Sequence, residues 1–163
     1  LPELLMREAC TALADRWGLE LSHISEGESP QETLSKPSAQ QGLIRFCGDV
    51  ARQRPEGGCW LDALADWRQP LVLMVAGEAG GGVAGAAAAY SALCHELGAP
   101  LIGLVQIGSQ WNRLQRRRDG LPWMGWIPAA GVPERELALD HLVQELSRRS
   151  ITAAATGAGA HRP

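Results

Sequence analysis

Lysine is nearly absent from this chain of 163 residues: Lys36 is the only one, and it lies in a stretch of low apolar content. Phosphoryl-transfer sites built on a glycine turn use a lysine to neutralise the β- and γ-phosphates, so the shortage bears on any nucleotide chemistry. The four cysteines, Cys10, Cys47, Cys59 and Cys94, are widely spaced and contain no C-x-x-C pair. That pattern excludes a zinc ribbon and predicts reduced thiols in helices or core. Long apolar runs are also missing. PLVLMVAG and PLIGLVQIG fall well short of the roughly 18–20 residues of a membrane-spanning helix. No basic-then-apolar leader opens the chain, so a cytoplasmic protein without a membrane partner is expected. Strong charge of one sign is lacking: the net charge is −3 with 20% charged residues. A general nucleic-acid binder is therefore not expected. The local exception is WNRLQRRRDG, where Arg113, Arg116, Arg117 and Arg118 form a basic cluster. It reads as a solvated helix face or as a phosphate or partner site.

What is present describes one domain. With 45% hydrophobic residues the chain can bury a core, and residues 1–150 are expected to form a single α/β unit. The chain opens LPELL with no initiating methionine, which leaves room for a preceding segment. PELLMREACTALADRW spaces Leu4, Leu5, Ala9, Leu13 and Trp17 as an amphipathic helix, ended by Gly18, and LELSHIS follows as a short alternating strand. Residues 26–42 predict a long loop with room for a short helical turn, and LIRFCGDVARQR leans to helix through Leu43, Cys47, Val50 and Ala51. CWLDALADW predicts helical turns that deliver Trp60, Leu64 and Trp67 to the core.

The clearest unit follows. PLVLMVAG predicts a strand buried on both faces, GVAGAAAAYSALCHELG a helix whose alanines pack closely on a sheet, and PLIGLVQIG a second buried strand. Short connections make this a βαβ crossover with parallel strands. PWMGWIP predicts a third strand, VPERELALDHLVQELSRRS a final helix, and residues 151–163 a frayed tail.

Between the first of these strands and its helix, VAGEAGGGVAG carries five glycines, Gly77, Gly80, Gly81, Gly82 and Gly85. Gly80, Gly82 and Gly85 match the G-x-G-x-x-G of a dinucleotide site, but the next strand ends Gln106, Ile107, Gly108, Ser109 without the carboxylate that holds a ribose. Arginines just beyond, Arg113 and Arg116, would instead meet the 2′-phosphate of NADP. Gly77 to Gly82 match the spacing of G-x-x-x-x-G-K-[ST], but Val83 and Ala84 stand at the lysine and hydroxyl positions. Glu78 places a negative charge within the loop. The glycines thus serve close helix packing or hold an anion by backbone groups alone, with Gly77, Gly80, Gly81 and Gly82 as the candidate contacts.

Most of the six tryptophans must fill the core, since Tyr and Phe each occur once. Trp111, flanked by Gln110, Asn112 and Arg113, and Trp123 are the candidates for a partner surface. His95 and His141 read as surface histidines.

The order ADWRQPLVLMVAGEAGGGVAGAAAAYSALCHELGAPLIGLVQIG, an arginine-bearing stretch and DGLPWMGWIP resembles the C-terminal half of dethiobiotin synthetases and their P-loop amidoligase relatives. PEGGCW is similar to the family's EGAGG segment. The resemblance covers about residues 58 to 130. It implies a three-layer α/β/α fold with a mostly parallel sheet, P-loop NTPase-like or Rossmann-like. It also implies ATP and magnesium, and nucleotide contacts from Ile127 and Pro128 through backbone groups. The family's adenine-reading asparagine corresponds to Ile107, and its N-terminal P-loop lysine has no counterpart before residue 58. The expectation is a non-catalytic binding or regulatory protein on this fold, acting as a homo-oligomer or with another protein. Two alternatives stand beside it: an ATP-dependent carboxylating or amidating enzyme seen as a fragment or subunit, and an NADP-binding oxidoreductase.

Overall fold

The computed structural model describes the backbone of residues 3–36 and 42–158, with side chains up to residue 150. Its architecture is α/β with parallel strands throughout. Helix α1 (Glu3–Trp17) leads into β1 (Leu21–Ser25), a short α2 (Pro30–Leu34) and β2 (Leu43–Cys47). Helix α3 (Trp60–Asp66) precedes β3 (Leu71–Ala76), α4 (Ala86–Glu96), β4 (Leu101–Ile107), α5 (Arg113–Arg118), β5 (Trp123–Ile127) and α6 (Arg135–Ala158). The expected tail, 151–163, begins within α6, whose backbone is helical to Ala158; residues 159–163 lie outside the described ones.

The strands form two sheets where one was expected. β1 pairs with β2, and β3, β4 and β5 lie side by side in that order. The helix expected at LIRFC is the strand β2. Its alternation decides the matter: Ile44 and Phe46 pack toward Trp60, with the Phe46 and Trp60 rings edge-to-face at 5.1 Å, while Arg45 is buried on the other side and pairs with Glu3. Period-two placement of this kind serves a strand and not a helix. Within 26–42, Ser29 caps α2 by accepting from the Glu32 amide, and Pro30, Thr33 and Leu34 are buried.

Helices cover the three-stranded sheet on both sides. On one side Val105, Ile107 and Ile127 meet Ala9 and Leu13 of α1 and Leu139, Leu142 and Leu146 of α6. On the other, Val75 and Leu104 meet Ala87 of α4. Arg16 locks α1 to α6 by a fork onto Asp140, with Glu136 at 3.2 Å. β3 is an edge strand, so most of its residues are half-buried and not enclosed on both faces as expected. The alanine block differs too. Ala87 alone among Ala86–Ala89 is buried, so the run supplies helix propensity more than packing. Trp60 is enclosed as expected, but Trp67 at the end of α3 is exposed.

Candidate functional site

The connections leaving β3 and β4 meet at one end of the sheet, and there the glycine loop is folded back on itself. Gly77 bridges Val83 in antiparallel fashion, the Glu78 amide donates to the Gly82 carbonyl at 3.0 Å, and the Gly81 amide donates to the Glu78 carbonyl at 3.0 Å. Gly80 and Gly81 both have φ of 86°, the left-handed region that a side chain disfavours, which the turn after Ala79 needs. Gly77 is required for a different reason: a Cβ there would lie 2.8 Å from Gln106 Nε2 and from Ser109 Cβ. The Ser109 hydroxyl donates to the Gly77 carbonyl at 3.2 Å, a tie between the two connections.

Arg116 of α5 fills the space that faces the loop. Its side chain is 3% exposed. Nη2 donates to the Gly81 carbonyl, with the Gly82 carbonyl at 3.5 Å, Nε donates to Gln106 Oε1 at 3.0 Å, and Nη1 donates to Asp119 Oδ2 at 3.0 Å. The guanidinium carbon stands 5.0 Å from the centre of the Trp123 ring, within cation–π range. Gln106 is fully buried; its Nε2 donates to the carbonyls of Gly108 and Gln110 at 3.0 and 3.2 Å. Asp119 also accepts from Trp123 Nε1 at 2.8 Å. The site is therefore a closed polar network: a cation meets two loop carbonyls, an amide and one carboxylate. A phosphate cradle has the opposite polarity, with backbone N–H groups converging on an anion.

The predicted residues separate into two groups. Gly77, Gly80, Gly81 and Gly82 stand together in the loop, and Glu78 is exposed with its carboxylate turned over Gly82. Ile127 is enclosed in the core, and its carbonyl accepts from the Gly108 amide at 2.9 Å; the Pro128 carbonyl accepts from Arg135. The carbonyls of these two residues, which the resemblance expects to contact a nucleotide through backbone groups, thus have partners within the chain. Arg113, Trp111 and Trp123 line, together with Arg116, a groove of about 710 Å³ beside β5. Trp111 and Trp123 pack edge-to-face with centroids 6.1 Å apart. His95 is exposed on α4, and His141 lines the groove. The sequence signal for Gln106 is a lone amide within PLIGLVQIG, which marks a buried polar group that needs partners.

A second polar cluster lies beyond β1 and β2. Asp49 accepts from the Tyr90 hydroxyl at 2.6 Å and from the Ala51 amide at 2.9 Å, which hold its carboxyl below the usual carboxylate range. The same bond, with partial burial, pushes the Tyr90 phenol up to about 12. Glu26 accepts from the Asp49 amide and from Arg52. Among the described residues no group of three or more His, Cys, Asp or Glu is placed to hold a metal ion, and no helix is long and apolar enough to cross a membrane. No protein-family model and no curated protein matches the chain.

Proposed function

We propose that this is a non-catalytic binding or regulatory protein on a dethiobiotin synthetase-like frame, acting on a copy of itself or on another protein. The observation that carries this reading is the Arg116 guanidinium donating to the Gly81 carbonyl inside the glycine loop. Nucleotide hydrolysis at such a loop requires a lysine for the β- and γ-phosphates and a hydroxyl for magnesium. Val83 and Ala84 stand at those positions, and the cation that is present is engaged by the protein's own acceptors. Ser109 is tied to Gly77 and forms no hydrogen bond to a general base among the described residues.

Titration with ATP–Mg and, separately, with NADPH tests the reading through tryptophan fluorescence, since Trp123 lies against Arg116 and packs on Trp111. No saturable change is expected up to concentrations of about 1 mM, the range of ordinary substrate KM values. Saturable binding of ATP–Mg would replace the proposal with an ATP-dependent activity, and saturable binding of NADPH with a redox one.

A further inference from the structure

The groove beside β5 is lined by four consecutive strand residues, Trp123, Met124, Gly125 and Trp126. Met124 is an extra residue between the partners of Leu104 and Val105, so Trp123 and Trp126 share one face while Met124 and Gly125 turn to the other, and a groove that meets both pairs runs along the strand's edge. That edge is free: β5 ends the order β3-β4-β5, with no strand beyond it among the described residues. The two walls differ. On the α5 side stand Arg113 and Arg117, both exposed and without an ion-pair partner among the described residues. On the α6 side stand Leu137, which is 62% exposed, and Ala138. Among the described residues, Glu134 is the one carboxylate lining the groove.

We propose that this edge binds an extended acidic segment of a partner protein by strand addition. The inference rests on the binding-protein reading above and names the surface and the chemistry of its partner. The Trp123 amide already donates to the Leu121 carbonyl at 2.8 Å, so an added strand would pair with the remaining groups of this edge and send alternate side chains to the two walls. Carboxylates meet Arg113 and Arg117 on one wall, and apolar side chains cover Leu137 and Ala138 on the other. The matching segment therefore alternates acidic and apolar residues. Five residues suffice to span β5, at about 3.3 Å each. Half-buried Trp123 and Trp126 supply the aromatic surface on which such interfaces commonly concentrate their energy.

The test uses a fluorescein-labelled decapeptide of alternating glutamate and valine, its lysine–valine counterpart, and the glutamate peptide N-methylated at alternate amides. Fluorescence anisotropy is followed with the whole chain. The expected result is saturation by the glutamate peptide alone, weakening with salt as exposed charges are screened. Affinity should fall at least about tenfold in Arg113→Glu/Arg117→Glu, since reversing rim charges opposes an acidic partner. The methylated peptide keeps the charge and loses backbone donors, so it separates strand addition from simple attraction even if the double variant misfolds. No saturation by about 1 mM, an affinity of about −4 kcal/mol, overturns the proposal. Equal binding of the lysine or methylated peptide also overturns it. A parallel ATP–Mg titration keeps the two ideas apart: nucleotide saturation defeats the functional reading, whereas absent peptide binding defeats only the groove assignment.

Discussion

Replacing Arg116 by alanine isolates the work of one buried guanidinium. The side chain is 3% exposed and serves four acceptors: Gln106 Oε1, Asp119 Oδ2 and the carbonyls of Gly81 and Gly82. Alanine leaves the fully buried Gln106 oxygen, and the half-buried Gly81 and Gly82 carbonyls, without this donor. Removing one partner from a buried charged network costs about 3–5 kcal/mol. Loss of the cation over Trp123 adds about 0.5–1 kcal/mol. Asp119 moderates the sum: its side chain is 23% exposed, and it keeps Trp123 Nε1 and the Leu121 amide as donors. A net loss of about 3 kcal/mol is therefore expected, at the low end of the range for a broken buried pair. Lysine at the same position restores charge without the planar fork and should recover about half. Urea unfolding followed by tryptophan fluorescence measures the change, and amide hydrogen exchange across residues 77–85 locates it. The loop amides should exchange faster in the alanine variant. A loss below about 1 kcal/mol, the worth of one ordinary hydrogen bond, with unchanged loop exchange would refute the reasoning, because the loop would then hold itself by its own turn bonds.

Three further outcomes follow from the same structure. Gly77→Ala places a methyl 2.8 Å from Gln106 Nε2 and Ser109 Cβ, so a loss of about 1–3 kcal/mol is expected in thermal unfolding; a neutral result would contradict the close approach. Leu142→Ala, at 1% exposure between α6 and β5, should cost about 2–5 kcal/mol, whereas Leu137→Ala, at 62%, should stay within about 0.5 kcal/mol. Equal losses in chemical denaturation would reverse the assignment of α6 faces. Tyr90→Phe tests the bond to Asp49, worth about 1 kcal/mol at neutral pH after allowance for solvent screening. Asp49 is depressed in the folded chain, so its contribution is present above its ordinary value near about 4 and is lost as pH falls through the lowered one. Tyr90 is raised to about 12, so its contribution is complete below its ordinary value near about 10 and is lost as pH rises toward 12. A stability difference between wild type and Tyr90→Phe that stays constant from acid to alkaline pH would remove this linkage.

Legibility in the sequence followed the range of the interaction involved. Strong apolar runs bounded by Pro and Gly placed β3, β4 and the helix between them, although only the central β4 is largely enclosed, as a strand with nearly every residue apolar requires, and β3 stands at the edge. LIRFC was ambiguous, since Leu43 and Cys47 fit a helix stripe as well as Ile44 and Phe46 fit a strand. Contact of Phe46 with Trp60, fourteen positions later, and of Arg45 with Glu3 decided it. The alanine block read as a packing face, but small residues also populate exposed helix surfaces by propensity alone, and solvent covers most of it.

By itself the sequence determined the α/β class with parallel strands, the glycine turn after β3 and the absence of lysine and hydroxyl at its phosphate positions. Those follow from local periodicity, backbone freedom and residue identity, which need no distant partner. Tertiary structure alone decided that the strands divide into two sheets and that β5 has no strand beyond it among the described residues. It also decided that Arg116 turns its cation onto the carbonyls of the loop. The polarity that a glycine turn presents depends on backbone torsions and on a side chain 35 residues away. Both are set when the connections after β3 and β4 pack together, and neither is written in the spacing of the glycines.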